Sequence, residues 1–178
     1  MKDALAIHRR LLARQIHHEI VRLPRPLTCA DDLPEMLGVT PETCVRVSVF
    51  EVPARGRVDP VAVVGSVAAR LTAQAVGAVL HTHGVRPASS FVVNSVTDYP
   101  DRLVCPLLLP DGLTVLVDQR VVDRLDPDEF AYTPTGERRT ALRIRALHLF
   151  NLIPGKRLDL ETPRRPGLTR RASPMRTA

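Results

Sequence analysis

Thr97-Asp98-Tyr99-Pro100-Asp101-Arg102-Leu103-Val104-Cys105-Pro106-Leu107-Leu108-Leu109-Pro110-Asp111-Gly112-Leu113-Thr114-Val115-Leu116-Val117-Asp118 is the least ordinary stretch of the chain. An apolar run is broken at Pro106 and Pro110, turned at Asp111-Gly112, and resumed as a β-type run that ends in an acid. Proline cannot donate to a sheet ladder, so Pro106 is expected at a sheet edge, a bulge or a strand start. Such a break leaves backbone groups free to meet a ligand. The stretch therefore predicts a pocket, and the rest of the chain is read for what surrounds it.

The elements on either side alternate between helix and hairpin. Val45, Val47 and Val49 share one face of a strand over 44–52, with Arg46, Ser48 and Phe50 on the other. Pro53-Ala54-Arg55-Gly56 predicts a longish turn into a second strand at Val61–Val64. Thr72 opens a helix that runs to Leu80, and Ser89 or Ser90 caps a short helix within 88–96. Further strands are expected at 17–23, 129–132 and 140–144, with short helices at 121–125 and 145–153. At the start, residues 3–16 read as a helix whose stripe is Leu5, Leu12 and Ile16, with Ile7 off it. Thr28 begins a short helix ended by Gly38, with Asp31 in its first turn. Six or seven strands with hairpins between helices predict an α+β class rather than alternating parallel units.

The 178 residues suit one domain with a sizeable core, and the 44% apolar fraction is that of a globular chain. Cys29, Cys44 and Cys105 are an odd number without paired spacing, which predicts free thiols in a reducing compartment. No signal-peptide core follows Met1, and no apolar run nears the roughly 18 residues of a membrane span. The expectation is a cytoplasmic protein without membrane attachment. Of the net charge of +6, residues 156–178 supply +5. This Pro- and Arg-rich end is expected to be a disordered tail beyond a domain over 1–155. It suits nucleic-acid phosphates or plain solvation equally. Within it, Arg170-Arg171-Ala172-Ser173 resembles a site for a kinase that favours basic residues.

The order of these motifs resembles the YbaK/ProX family, which includes the editing domain of bacterial prolyl-tRNA synthetases and its free-standing relatives. The likeness spans about residues 14–153. It rests on Val45-Arg46-Val47-Ser48-Val49-Phe50, Val61-Ala62-Val63-Val64-Gly65, Thr97-Asp98-Tyr99-Pro100 with Val104-Cys105-Pro106, and Leu113–Asp118 followed by Gly136. The resemblance implies a mixed, mainly antiparallel sheet curled around a pocket, with helices packed outside. It implies trans-acting hydrolysis of a wrongly attached amino acid from the 3′ end of a tRNA, with a tRNA synthetase as companion. No cofactor is implied. The family usually places Lys at the position of Arg46, and glycines at those of Asp98, Arg102 and Leu103.

Arg46, Cys105 and Pro106 are the candidate catalytic residues. Arg46 would hold a phosphate or the ester carbonyl, and it stays protonated, so it is no base. Cys105 is either a nucleophile or an inert wall of the pocket. Ser48, Thr97, Asp98, Leu103 and Asp118 are expected to bind substrate. Arg138 and Arg139 are expected to touch the nucleic-acid backbone. His81-x-His83 and His17-His18 lack a partner ligand at a recognisable spacing, so no metal site is expected. Two other functions fit the residues: a relative that binds tRNA or a nucleotide without turnover, and an interaction module that docks through its basic tail.

Overall fold

The computed structural model describes residues 1–160. The expected tail from 161 onward, with its Arg170–Ser173 motif, lies outside the described residues. In chain order the elements are α1 (Ala4–Ala13), β1 (His18–Arg22), α2 (Leu33–Leu37), β2 (Val45–Ala54), β3 (Arg57–Ser66), α3 (Ala73–Val79), β4 (Arg86–Pro87), α4 (Ser90–Thr97), β5 (Thr114–Asp118), α5 (Gln119–Arg124), β6 (Phe130–Pro134), β7 (Thr140–Arg145), α6 (Ala146–Leu152) and β8 (Lys156–Leu158). Short 3-10 turns at Ala30–Asp32 and Pro41–Thr43 lead into α2 and β2. The class is α+β, as the sequence predicts.

Two sheets form. The larger has the order β4-β2-β3-β5-β8; the smaller is β1-β7-β6. β2 pairs antiparallel with β3, while β3–β5 and β5–β8 are parallel. All pairings in the smaller sheet are antiparallel. A single parallel bridge, Cys44 to Tyr132, ties the sheets together. The result is mixed and mainly antiparallel. The β2–β3 connection is tighter than expected: Ala54 pairs with Arg57, so the loop is two residues long. Arg55 and Gly56 both take positive φ, at 41° and 84°. That is the turn whose twist matches flanking strands.

Val45, Val47 and Val49 enter the main core as their alternation demands, where they meet Tyr99, Val104, Cys105, Leu142, Ile144 and Leu149. Helix α1 packs through a different stripe from the one expected. Asp3 caps it by accepting from Ala6 N at 2.8 Å, and Ala4, Ile7 and Leu11 are buried. Leu5 and Leu12 are about half exposed, at 50% and 56%. Lys156–Leu158, placed by the sequence in a tail, adds a strand to β5, and Leu160 is fully buried against Phe50, Val63 and Val76.

The stretch around Pro106 is not a sheet edge. Between α4 and β5 the chain runs as an irregular segment with Leu103, Val104, Cys105, Pro106, Leu107 and Leu109 buried. Three prolines remove donors that a strand would need. The segment is held instead by side chains. Tyr99 donates its hydroxyl to Leu107 O at 2.8 Å, and Thr97 Oγ1 donates to Val93 O at 2.7 Å while accepting from Tyr99 N at 3.1 Å.

Gly136 locks this segment against the N-terminus. Its φ is +90°, and an added Cβ would lie 2.7 Å from Lys2 O and 2.8 Å from Tyr99 Cδ1. Backbone strain and overpacking act together at such a site, each costing on the order of 1–3 kcal/mol. Gly136→Ala is therefore expected to destabilise the protein by about 3 kcal/mol, lowering the thermal midpoint by roughly 6–12 °C. A midpoint within 2 °C of wild type, measured by circular dichroism (about 1 kcal/mol or less), would refute this packing.

Candidate active site

Strand β4 covers β2 only at Phe50 and Glu51, and Ala88 N reaches Val49 O at 2.9 Å. Beyond that point the outer edge of β2 has no strand beside it among the described residues. A cleft of about 320 Å³ opens there, lined by Cys29, Asp31, Arg46, Ser48, Asp101 and Arg102, with Ala30, Val47, Val49, Pro87, Ala88 and Val93 as walls. The backbone break that the sequence suggested at Pro106 is supplied instead by this open strand edge.

Alternation along β2 sends Arg46 and Ser48 away from the valines. Arg46 Nη1 donates to Asp31 Oδ1 at 2.8 Å, and Nη2 donates to Ala69 O at 2.9 Å. Its Nε is buried with no partner. The Arg46 side chain is 20% exposed, so the cation lies at the cleft floor rather than in solvent. Asp31 is presented by the 3-10 turn. Asp32 Oδ2 fixes that turn by accepting from Thr28 N at 2.9 Å and Cys29 N at 3.3 Å. The side chain that caps the turn is thus Asp32, which leaves Asp31 free to face Arg46. Ala30 N donates to Arg102 O at 3.2 Å, clipping the two cleft walls together. Helix α4, capped by Ser89, sets the other acid: Asp101 N donates to Asn94 Oδ1 at 2.7 Å, and Ser90 Oγ donates to Asp101 Oδ2 at 2.7 Å. Arg102 sits at φ +64°, a conformation natural to glycine.

Of the residues singled out from the sequence, Arg46 and Ser48 line this cleft and the others do not. Cys105 is fully buried in the core. Burial pushes its thiol up to about 12, against the opposing hydrogen bonds from Leu107 and Tyr99, so it holds its proton at neutral pH and is no nucleophile. Pro106 is buried beside it. Leu103 packs with Leu23, Leu27, Leu33 and Cys44, outside the cleft. Thr97 is fully buried and spent on the α4 end. Asp98 ends α4 at φ 61° and pairs with the N-terminal amine at 3.1 Å. Asp118 is fully buried, caps α5 and grips Arg120 through both carboxylate oxygens, a structural duty. Arg138 Nε donates to Leu27 O at 3.2 Å, and Arg139 O accepts from Leu23 N at 2.9 Å; both are surface residues away from the cleft lining.

Cys29, Asp31 and Asp101 complete the cleft and were not read as site residues. Asp101 stands two residues after Tyr99 in the opening stretch, but only the fold of α4 turns it inward. A second, larger cavity of about 660 Å³ lies under α3, lined by Gln74, Gly77, His81, Thr82, His83 and Val85 among others. It presents no carboxylate, thiol or permanently charged side chain, so the Arg46 cleft is the better equipped for chemistry. Among the described residues no three His, Cys, Asp or Glu side chains converge to hold a metal ion. No helix among them is long and apolar enough to cross a membrane.

Comparison with solved structures finds the same fold at low identity. A hypothetical protein superposes with a TM-score of 0.71 at 20% identity, covering 86% of this chain and 97% of the other. A proposed trans-editing enzyme for prolyl tRNA synthetase gives 0.69 at 19% identity, covering 86% and 92%. A scaffold protein from computational epitope grafting gives 0.70 at 18%, covering 88% and 94%. No curated protein matches the chain. The model of the aminoacyl-tRNA editing domain matches residues 25–152, a span that holds the whole cleft from Cys29 to Arg102. The chain belongs to the aminoacyl-tRNA editing domain family.

Proposed function

We propose that the Arg46 cleft takes the 3′ aminoacyl-adenosine of a mischarged tRNA and hydrolyses its ester in trans. The observation that carries this reading is a buried guanidinium with an unpartnered Nε–H beside an open strand edge. Charge develops on the ester carbonyl oxygen as water attacks. Preorganised donors at that oxygen lower the barrier, and Arg46 with the free β2 backbone supplies them. Arg46 remains protonated throughout, so its part is electrostatic. Asp31 and Asp101 give the cleft two carboxylates that attract the α-ammonium of the esterified amino acid. Water is the nucleophile, because Cys105 is out of reach. The aliphatic walls and a volume at the small end for ligand sites favour a small side chain. A tRNA synthetase that makes the mischarged product is the natural companion.

A second reading is binding without turnover. It is favoured by the two ties that already engage Arg46, to Asp31 and Ala69. A panel of mischarged tRNAs separates the two. Release of amino acid from at least one of them is expected; saturable binding without release would establish the second reading, and neither release nor binding would refute both.

A further inference from the structure

The chain has two tyrosines and four phenylalanines and no tryptophan. Five of the six rings belong to the fold. Phe50, Tyr99 and Phe150 are buried, and Tyr132 packs on the Leu23–Leu33 cluster. Phe130 lies under the guanidinium of Arg143, 3.7 Å from its centroid. Phe91 is 80% exposed. A single exposed ring needs no explanation by itself, but the position of this one matters. It stands in the first turn of α4, between Ala88 and Val93, both of which line the cleft. Ser90 and Asn94 of the same helix hold Asp101, so the helix face toward Asp101 and Arg102 is known. At about 100° per residue, Phe91 is the next position around from Ser90 on the solvent side.

Arg102 is the cation beside it. Its side chain is 68% exposed, and Asp101, the nearest acid, is 4.0 Å away and already accepts from Ser90. Arg102 also lines the cleft. An exposed ring and an exposed guanidinium at one rim offer what an unpaired nucleotide presents: a π face and a phosphate.

We propose that Phe91 and Arg102 form a subsite for the unpaired nucleotide that precedes the terminal adenosine, with its base stacked on Phe91 and its phosphate on Arg102. The proposal rests on the editing reading for which end of the RNA lies in the cleft. The subsite would recognise single-stranded RNA rather than a particular amino acid.

The test is anisotropy of a short 5′-labelled single-stranded RNA carrying the tRNA 3′-terminal sequence. Phe91→Ala is expected to weaken binding by roughly 5- to 150-fold, the range for losing one stacked base. Phe91→Trp should restore it and Phe91→Leu should not, which separates stacking from bulk. Arg102→Ala should lower the slope of log affinity against log salt by about 0.7. Thermal midpoints confirm folded variants. Binding by Phe91→Ala within twofold of wild type, or no binding of this RNA by wild type, overturns the proposal. If wild type binds through Phe91 but releases no amino acid from any charged tRNA, the editing reading fails and the subsite stands. If charged tRNA is hydrolysed, the ratio of kcat/KM for charged tRNA over that for 3′-aminoacyl-adenosine should fall in Phe91→Ala. An unaltered ratio overturns the subsite while leaving the editing reading intact.

Discussion

Arg46→Ala is expected to slow amino-acid release from the responsive charged tRNA by roughly 10²–10³-fold, the usual loss on removing one preorganised oxyanion donor. The loss should fall on kcat, because the donor is strongest against the charge of the transition state. Stability should change little. Asp31, the partner left behind, is about half exposed, and an ion pair of that kind contributes at most about 1 kcal/mol. Arg46→Lys keeps the charge but loses the planar fork that spans Asp31 and Ala69. It should retain an intermediate rate, above that of Arg46→Ala, since related domains usually carry lysine on this strand. A kcat/KM for Arg46→Ala within threefold of wild type would remove Arg46 from the chemistry.

The second large effect is alkaline unfolding. Burial raises the thiols of Cys44 and Cys105 to about 12, and it raises the Tyr99 hydroxyl well above the usual tyrosine range, with Cys105 beside it adding to the shift. In the unfolded chain a thiol loses its proton near pH 8.5. The folded values are the higher ones, so the neutral forms belong to the native state. Their stabilisation is complete below the unfolded value and is lost as pH climbs from about 8.5 toward 12. At pH 11 each thiol should cost about 3 kcal/mol. Few other groups titrate in that window, since Lys2 and Lys156 are the only lysines and arginine stays charged. Urea midpoints at pH 7, 9 and 10.5 should fall steeply over the last interval. The double variant Cys44→Ala, Cys105→Ala should flatten the fall. A wild-type midpoint constant from pH 7 to 10.5 would contradict the burial of these thiols.

How much of this was legible in the sequence depends on how each residue is buried. The β2 valines alternate because one face of that strand meets the core, so the strand and the outward turn of Arg46 and Ser48 were readable. The segment from Leu103 to Leu109 is buried without regular pairing, and periodicity carries no signal there; proline spacing alone suggested a sheet edge that the fold does not contain. In α1 the stripe misled because Ile7 and Leu11 are enough to bury the helix, leaving Leu5 and Leu12 at the surface. The short strands β4 and β8 offer two and three residues, too few for any pattern. Asp31 and Asp101 enter the cleft only through long-range hydrogen bonds. Cys105, Thr97 and Asp118 were attractive as chemical types, and burial assigns them to the scaffold.

The pairing of β1 with β7 has a consequence for synthesis. Residues 18–22 find their partners only at 140–144. A chain emerging at about 5–20 residues per second must carry β1 unpaired for roughly 6–24 s before the complementary strand exists. The β2–β3 hairpin, closed by its two-residue turn, faces no such wait. Birth on the ribosome thus has a built-in order, with the cleft's central strand set early and the small sheet sealed last.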